Sequence, residues 1–462
     1  MKTKIFKFTA SKQFIVIFVG LTAALAGLLF GLDVGVISGA LPFLSKAWGL
    51  STKSQEYIVS TLLLGAFFGS IIAGYVSNKW GRKKAILVSA VLFASGAIFS
   101  SISSSPLLLE LSRFYLGLGV GAASFTAPLY LSEMAPEKIR GALISTYQLM
   151  ITVGIVIAFM SDTFLSYGAH WRLMLGIVAA PAVIMFIGVS FLPRSPRWLV
   201  LVKKNDEAKK VLMRLRETEE EVETEIHDIE NSLGHEQKGW NLLKNKNYRK
   251  VLALGIVLQA AQQFTGMNVV MYYSPKIFDL AGFSSGTQAM WGTVIVGVTN
   301  VLATFIAILF VDKLGRKPIL YAGYFVMGIS MAALGFFFHI GINSSLIQYS
   351  AIAVLLTFIV GFAMSAGPII WVICSEIFPL SGRDLGITVS TSTNWLCNTI
   401  VGITFLSLLK NFGVGNTFWL YASINLAFII VLFFFVPETK GVTLENIEDK
   451  LMAGVKLKKI GK

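Results

Sequence analysis

The amino-acid sequence predicts an all-helical integral membrane protein with twelve transmembrane helices arranged as two six-helix pseudo-repeats. Its 462 residues are 55% hydrophobic and only 14% charged, and the mean hydropathy is +0.71. Soluble domains are typically about 45–50% apolar and about 25% charged, and a single soluble core stops growing near ~250–300 residues. This much apolar sequence therefore excludes a soluble enzyme and requires lipid as the solvent.

Twelve apolar runs are long enough to cross a bilayer, for which an α-helix needs about 20 residues. They are too long for membrane strands and lack the alternation of apolar and polar residues that strands show. We therefore expect helical spans throughout. The first six cover approximately 14–44, 57–77, 85–105, 110–132, 142–165 and 172–192, and the second six cover approximately 251–280, 289–311, 318–341, 347–374, 385–409 and 417–436.

These spans divide the chain into two six-helix bundles joined by a polar linker. Within the linker, apolar residues recur at roughly helical spacing over the charged stretch 203–236, which predicts short amphipathic helices. The apolar run after the Lys-rich N-terminus continues past Ala26, so we expect an uncleaved span rather than a secretory signal. The predicted organisation is a cytoplasmic N-terminus 1–13, a first bundle 14–192, a linker 193–250, a second bundle 251–436 and a cytoplasmic tail 437–462.

The net charge of +14 comes from 39 Lys and Arg against 25 Asp and Glu. Taken alone, a basic balance could indicate nucleic acid as a partner. On the predicted topology, however, 33 of the 39 basic residues fall in the termini and in the loops on their side. The positive-inside rule makes this side cytoplasmic. The basic balance therefore reflects topology, and no nucleic-acid partner is expected.

Three short motifs occur once in each predicted bundle, in the same order and at offsets of 234, 243 and 244 residues. Repetition at a nearly constant offset indicates an internal duplication of six spans. Parallel repeats with a binding site between them are typical of transporters that rock between two states. The repeated motifs are Gly81–Lys83 and Gly315–Lys317, Glu133 with Arg140 and Glu376 with Arg383, and Pro193–Arg197 and Pro437–Gly441.

The charged residues of these motifs collect at the cytoplasmic ends of the spans. Charge-assisted hydrogen bonds between them would hold the inner mouths of the two halves together and would be broken and remade in a transport cycle. The alternative is that they only anchor helix ends at the lipid interface. The predicted gate residues are Arg82, Glu133, Arg140, Arg316, Glu376 and Arg383.

A charge inside a span costs about 2.5–3.5 kcal/mol on insertion scales and marks a functional candidate, and two charged residues within the predicted spans stand out. Asp33 lies well along the first span, and Arg113 lies near the start of the fourth, which runs in the opposite direction. Both therefore fall in the outer half of the bilayer, at a depth where they could pair. Because protonation of a buried carboxylate depends on its cationic partner, a pair that opens and closes is a proton switch. The alternative is a permanent buried ion pair.

The seventh and eleventh spans carry amides on one helix face. Gln259, Gln262 and Gln263 are spaced i, i+3, i+4, and Asn394 and Asn398 are four residues apart. Amides in hydrocarbon need partners, which can be neighbouring helices, water or a polyhydroxylated ligand. Each residue alone is readily explained as a contact between helices, but the set together favours a cavity for a polar ligand. Further amides within or beside the spans are Gln148, Asn268 and Asn300.

Two tryptophans lie near these amides. One is on the tenth span, and the other adjoins an amide of the eleventh span in the sequence. Trp371 follows Gly367 and Pro368, a pair that weakens a helix and can expose its backbone. Trp395 adjoins Asn394. An indole ring beside amides can contact the apolar C–H face of a sugar while the amides bind its hydroxyls.

The sequence contains no constellation typical of catalysis or metal binding. Its four histidines share no spacing typical of metal ligands, and it has no Gly-rich phosphate-binding loop for ATP. The two cysteines, Cys374 and Cys397, lie in apolar runs and are expected to be buried thiols. We therefore expect no enzymatic activity, no cofactor and no metal, and an ion gradient as the source of energy.

The chain resembles the sugar porter family of the major facilitator superfamily over roughly residues 12–452, and the resemblance implies the major facilitator fold. The segments that carry it are GLDVGVISGALPF (31–43), WGRKK (80–84), APLYLSEMAPEKIRG (127–141), QLMITVGI (148–155), QQFTGMN (262–268), VDKLGRK (311–317), GPIIW (367–371), STSTNW (390–395) and VPETKG (436–441).

The resemblance also implies roles for individual residues. Asp33 matches the carboxylate that carries the proton in symporters of the family, and Arg113 matches its arginine partner. Phe30 matches an aromatic residue that lines the sugar pocket. The residues that match sugar contacts of the family are Gln148, Gln262, Gln263, Asn268, Asn300, Gly367, Trp371, Asn394 and Asn398.

The predicted function is the proton-coupled import of a monosaccharide, most simply a hexose of the galactose or glucose type, by alternating access. The predicted location is the bacterial cytoplasmic (inner) membrane, with both termini in the cytoplasm. The alternatives are a symporter of a pentose such as arabinose or xylose, a passive sugar facilitator, and a sugar sensor that does not transport. The expected partners are the monosaccharide, protons and the lipid bilayer, and a monomer is sufficient.

Overall fold

The computed structural model describes residues 10–234, 239–283, 286–379, 382–442 and 444–461. Within these ranges the chain forms 21 α-helices and one short 3-10 helix, without a strand. The all-helical class predicted from hydropathy is therefore confirmed for the described residues.

The first half of the chain contains the helices of the predicted spans 1 to 6. Ser51 and Ser105 cap α2 and α4, each accepting a hydrogen bond from a backbone N–H of the first turn. The sixth span consists of two short helices that follow one another. The helices are α1 (Ala10–Trp48), α2 (Thr52–Trp80), α3 (Arg82–Ile102), α4 (Pro106–Met134), α5 (Glu137–Ser166), α6 (Trp171–Gly176) and α7 (Ala179–Phe191).

The linker forms the short helices that its apolar spacing predicts, namely α8 (Pro196–Leu201), α9 (Asn205–Leu215), α10 (Glu219–Gly234) and α11 (Gly239–Leu242). Arg216 at the end of α9 joins the linker to the first half. Its Nε and Nη2 donate to the Glu225 carboxylate at 2.5 and 2.7 Å, and its Nη1 donates to the Met134 carbonyl at 3.2 Å. The linker therefore packs against the end of α4.

The second half contains two interrupted spans. Gly266, with φ of +90°, separates α12 (Lys246–Phe264) from α13 (Met267–Tyr272), and α14 (Ser274–Leu280) continues the seventh span. Ser365 separates the two helices of the tenth span. The other helices are α15 (Gly286–Leu314), α16 (Arg316–Ile340), α17 (Ser345–Met364), α18 (Ala366–Ile377), α19 (Arg383–Asn411), α20 (Val414–Phe434) and α21 (Leu444–Met452), followed by the 3-10 helix Leu457–Lys459.

Eleven stretches of the described chain are helical, long and apolar enough to cross a membrane. They correspond to all of the predicted spans except the seventh. The seventh span falls short because Gly266 interrupts it and because its amides lower its hydropathy. The segment α12–α14 is nevertheless packed inside the second half, where α12 contacts α18, α19 and α20.

Neighbouring spans alternate in direction, so each end of the molecule collects alternate helix termini. We call the end where α2 and α4 begin and α19 ends the Glu56 end, and the opposite end the Glu133 end. The two halves meet mainly through α2 against α19 and α5 against α15. Hydrogen bonds described between the halves include those of Glu56 with Ser407 and of Trp291 with Tyr167, both at the Glu56 end.

Glycines allow very close packing within the first half. At Gly31 of α1, a Cβ would overlap the carbonyl oxygen of Ile151 in α5, and at Gly121 of α4 it would overlap the carbonyl oxygen of Ala66 in α2. Small residues at such positions are the usual way in which membrane helices approach closely, because lipid provides no hydrophobic force between them. These contacts fix the positions of the helices that carry Asp33 and Arg113.

We expect Gly31→Val to lower the stability of the protein, because α1 and α5 must separate to accommodate the side chain. Overpacking typically costs about 1–3 kcal/mol, so the thermal midpoint in detergent should fall by several degrees. The matched control is Gly141→Val in α5, where a Cβ would meet no atom within 4 Å. Equal midpoints for the two variants would contradict the close approach of α1 and α5.

Candidate functional site

An amide cluster joins α12 to α19 inside the second half. Asn394 Nδ2 donates to Gln259 Oε1 and to Gln262 Oε1, both at 2.7 Å. Gln263 Nε2 donates to Asn394 Oδ1 at 2.9 Å, and Asn268 Nδ2 donates to Gln263 Oε1 at 2.5 Å. The predicted helix faces therefore do face one another. The amides bind each other here, and a hydroxylated ligand could exchange for some of these bonds because each amide has both donors and an acceptor.

The interrupted tenth span supplies backbone carbonyls to this cluster. Gln262 Nε2 donates to the carbonyl oxygens of Ala366 and Gly367 at 2.8 and 3.0 Å. Both carbonyls lie directly after the break at Ser365, at the start of α18. The helix that Gly367 and Pro368 were predicted to weaken thus exposes backbone carbonyls within the bilayer. Irregular backbone is tolerated there only where it is buried in protein or lines a cavity.

Aromatic side chains lie beside the amides at the boundary between the halves. The rings of Phe30 on α1 and Trp395 on α19 have centroids 5.2 Å apart and an interplanar angle of 52°. Tyr272, at the end of α13, has its hydroxyl 3.0 Å from Asn398 Nδ2. These contacts place an apolar surface and amide groups next to each other, an arrangement suited to a ligand with hydroxyls around an apolar ring face.

The structure brings only part of the predicted set together. Among the described residues, no hydrogen bond joins Gln148, Asn300 or Trp371 to the amide cluster. Asn300 is buried on α15, Gln148 is half-buried on α5, and Trp371 has 36% of its surface exposed. These residues remain predicted contacts of a ligand rather than members of the cluster.

Asp33 and Arg113 lie together, as their depths predict. Arg113 Nη1 is 3.8 Å from Asp33 Oδ1, and both side chains are 2% exposed. Arg113 Nε makes a shorter contact, donating to the carbonyl of Ile58 in α2 at 2.7 Å. Within the part of the chain that the structure describes, Asp33 Oδ2 has no hydrogen-bond partner. The pair is therefore loose, and Asp33 keeps one oxygen available for a proton.

At the Glu133 end, the first copy of the repeated motifs forms one polar cluster. Arg82 at the start of α3 donates from Nε to Glu133 Oε1 at 3.0 Å, and its Nη2 lies 2.9 Å from the same oxygen. Ser195 Oγ donates to Glu133 Oε2 at 2.5 Å. The cluster ties α3, α4 and the start of α8 together at the end of the first half.

The second copy forms the corresponding cluster. Arg316 Nη2 donates to Glu376 Oε1 at 3.1 Å, and Thr439 Oγ1 donates to Glu376 Oε2 at 2.5 Å. Glu438 accepts from the backbone N–H groups of Arg316 and Lys317 at the start of α16. Burial alone would raise the pKa of Glu438, but hydrogen bonds from these N–H groups and that of Lys440 lower it below its ordinary value.

These clusters differ from the predicted contacts between the halves. In the described residues, Glu133 and Glu376 bind arginines of their own half, Arg82 and Arg316. The physical reason is that α3 packs against α4, and α16 against α18, so that the start of one helix lies beside the end of the other. The side chain of Arg140 lies outside the described residues, and Arg383 is half-buried at the first position of α19.

Sequence reasoning missed several residues that the structure brings to these sites. Ser195 and Thr439 both occupy the third position of a Pro-led segment, and their equivalence in the two repeats was a usable signal. Tyr272 follows Asn268 by one helical turn. Glu56 and Ser407, in contrast, belong to no repeated motif.

Comparison with known proteins gives consistent results for family and fold. The family model described as "Sugar (and other) transporter" matches residues 19–451. The galactose-proton symporter of Escherichia coli (strain K12) is 56% identical over 452 residues, which cover 98% of this chain and 97% of that protein. The arabinose-proton symporter of the same strain is 51% identical over 448 residues, which cover 96% and 95% of the two chains.

Solved structures of the xylose transporter XylE from E. coli are similar to the whole described fold. Its partially occluded inward-open conformation aligns with a TM-score of 0.82 and 32% identity, covering 93% of this chain and 99% of that one. The complex described as the major facilitator superfamily proton:xylose symporter bound to 6-bromo-6-deoxy-D-glucose gives a TM-score of 0.82 and 31% identity, covering 96% and 99%. The predicted major facilitator fold is thereby confirmed.

Asn394→Ala should destabilise the protein, because it leaves the amides of three glutamines without their buried partner. An unsatisfied buried polar group costs about 1–3 kcal/mol, and thermal unfolding in detergent would measure the loss. Asn416→Ala is the control, since Asn416 is exposed and donates only to the carbonyl of Phe412. A loss no larger than that of the control would contradict a cooperative amide cluster.

Proposed function

We propose a function from one premise: the chain belongs to the sugar transporter family. The protein imports a monosaccharide together with a proton by alternating access of one site to the two sides of the membrane. The observation that carries this proposal is the Asp33–Arg113 pair, a loose ion pair buried within the spans whose carboxylate has an oxygen without a partner. The relatives at 56% and 51% identity are both named proton symporters of sugars.

The orientation follows from the distribution of positive charge. The loops at the Glu133 end, the linker and the termini carry 33 of the 39 basic residues. By the positive-inside rule we assign the Glu133 end to the cytoplasm and the Glu56 end to the outside. Bacterial relatives with the same architecture support the cytoplasmic membrane as its location.

The sugar binds between the halves at the amide cluster. Gln262, Gln263 and Asn394 exchange their mutual hydrogen bonds for bonds to sugar hydroxyls, and Trp395 with Phe30 covers the apolar face of the ring. The further contacts that we propose are Gln148, Asn268, Asn300, Gly367, Trp371 and Asn398.

The proton enters the cycle at Asp33. With the outer mouth open, Asp33 Oδ2 takes up a proton and releases its hold on Arg113, and the sugar docks. The outer ends of the halves then close and the cytoplasmic ends separate, so that sugar and proton leave. Asp33, again ionised, attracts Arg113, and the empty protein returns. The clusters around Glu133 and Glu376 brace the helix ends that form the proposed cytoplasmic gate, together with Arg140 and Arg383.

The contacts between the halves close the proposed outer end. Glu56 binds Ser407, and Trp291 Nε1 lies 3.4 Å from the Tyr167 hydroxyl, both at that end, while Ser70 Oγ of α2 lies 3.3 Å from Ser392 Oγ of α19 deeper in the bundle. Of the two xylose transporter structures with a TM-score of 0.82, one is described as partially occluded and inward open. The proposed substrate is a hexose of the galactose type; the 51% identical arabinose symporter supports a pentose as the second candidate.

Adding the transported sugar to de-energised cells that express the protein should make the external medium more alkaline, because each sugar carries a proton inward. Galactose, glucose, xylose and arabinose are compared, with cells lacking the protein as the blank. The sugar with the largest initial pH change identifies the substrate. Uptake of labelled sugar without any pH change would show a passive facilitator instead.

Asp33→Asn should abolish accumulation of sugar against a gradient while sparing exchange of sugar across the membrane. The amide keeps the shape of the side chain but cannot take up or release the proton. Uphill uptake and counterflow in vesicles give the two readouts. Asp162→Asn is the matched control, because Asp162 is also a fully buried carboxyl of the first half, whereas the ion pair described for Arg113 is with Asp33. Full uphill accumulation by Asp33→Asn would overturn the proton role.

A further inference from the structure

Glu56 is a buried carboxylate that joins the two halves at the outer end. It is the fifth residue of α2, and its side chain is 0% exposed. Its Oε1 accepts a hydrogen bond from the backbone N–H of Ser407 at 2.6 Å, and its Oε2 accepts from Ser407 Oγ at 2.7 Å. Lys53 Nζ, on the same helix, lies 3.1 Å from Oε2. Two of its three donors therefore come from α19 in the other half.

These hydrogen bonds depend on the halves being closed. A buried carboxylate is costly unless donors surround it, and hydrogen bonds to charged groups are stronger than neutral ones. A backbone N–H within a helix ordinarily donates to the carbonyl four residues earlier, whereas that of Ser407 points at Glu56. When α2 and α19 separate, Glu56 loses both donors of Ser407 at once.

The same turn of α2 is in contact with the proposed proton pair. Arg113 Nε donates at 2.7 Å to the carbonyl of Ile58, two residues after Glu56, while its Nη1 stays 3.8 Å from Asp33. Arg113 is thus held more closely by α2 than by Asp33 in the conformation with the outer end closed.

Neighbouring helices bring further polar groups close to Glu56. Tyr273, after α13, donates from its hydroxyl to the carbonyl of Gly402 in α19 at 2.9 Å, which adds a further bond next to the same closure. The titratable or charged side chains that the adjoining elements carry at this end include Asp33 and Lys46 of α1, Lys53 and Tyr57 of α2, Glu110 and Arg113 of α4, Tyr272 and Tyr273, Lys410 of α19, and Tyr421 of α20.

We propose that the bonds of Glu56 to Ser407, the outer latch, are released when Asp33 gives up its proton. The proton leaves Asp33 for water at the cytoplasmic mouth, and the ionised carboxylate attracts Arg113 away from the Ile58 carbonyl. The first turns of α2 are then free to move, and the latch opens to let the empty protein face outward. Glu56 acts as a positioning residue, and this inference rests on the proposed role of Asp33.

The test measures access to the outer closure with a cysteine reporter at position 60. Ser60 is 2% exposed, its hydroxyl donates to the Glu56 carbonyl, and it lies against Gly402 of α19. Ser60→Cys is labelled from outside with a membrane-impermeant maleimide, without sugar. The native Cys374 and Cys397 are buried, and the chain without Ser60→Cys provides the blank.

Glu56→Gln should raise the labelling rate of the reporter about ten-fold, the effect of losing one charge-assisted hydrogen bond. Glu110→Gln is the matched control, a half-buried carboxyl near the start of α4 at the same end. Because maleimide reacts with the thiolate, the rate at each pH is divided by that of the same Ser60→Cys chain unfolded in denaturant. With native Glu56, this relative rate should increase from acidic to alkaline pH, and Asp33→Asn should keep it low at every pH. Adding Glu56→Gln to Asp33→Asn should restore fast labelling, because the latch acts after the proton pair.

Each arm can overturn a separate part of the proposal. Labelling of Glu56→Gln equal to that of Glu110→Gln, with sugar counterflow intact as proof of folding, would show that Glu56 does not hold the outer end. A fast relative labelling rate that does not change with pH in the native background would overturn the link to Asp33. The proposed proton symport itself fails on a different readout, the absence of sugar-induced alkalinisation in the unmodified protein.

Discussion

The structure depends on one constraint: a polar group in the bilayer interior must find its partner within the protein. The amides of α12 meet Asn394 of α19, and Gln262 in addition meets the carbonyls exposed at the break before α18. Arg113 is placed between a carboxylate of α1 and a carbonyl of α2. Because lipid and neighbouring apolar helices cannot replace these partners, the same groups both fix the packing of the spans and form the sites proposed for sugar and proton.

The polar contacts divide into those within a half and those between the halves, and only the second kind must break when the halves move apart. Arg82 with Glu133 and Arg316 with Glu376 tie helix ends inside their own half. Glu56 with Ser407 crosses the boundary instead. A rocking motion can therefore break the few bonds of the boundary while each half keeps its internal clusters. The main effect of the repeated motifs is then to hold each half together, so that it moves as a unit.

Features of the fold and the site that follow local or repeated sequence patterns could be predicted. Features that depend on contacts between residues far apart in the sequence could not. Hydropathy predicts the spans, duplication predicts the two halves, and matching depth predicts the Asp33–Arg113 contact. Glu56 and Ser407 are 351 residues apart and belong to no repeat, so only packing of α2 on α19 brings them together. Likewise, spacing could place Glu133 and Arg82 at one end of the bundle but could not decide which half supplies the partner.

The position of Arg113 explains how protonation of Asp33 could control the outer latch directly, because Arg113 contacts both Asp33 and the turn of α2 that carries Glu56. Its guanidinium has donors for two acceptors, but Asp33 and the Ile58 carbonyl belong to different helices, and the short bond is made to only one of them. A neutral carboxyl competes weakly with a backbone carbonyl for a cation, whereas an ionised one competes strongly because the attraction between two opposite charges is large in a low-dielectric interior. On the proposed mechanism, the charge of Asp33 therefore decides which helix holds Arg113. Because Glu56 lies on the same turn of α2 as Ile58, that charge also decides whether the outer end is held closed.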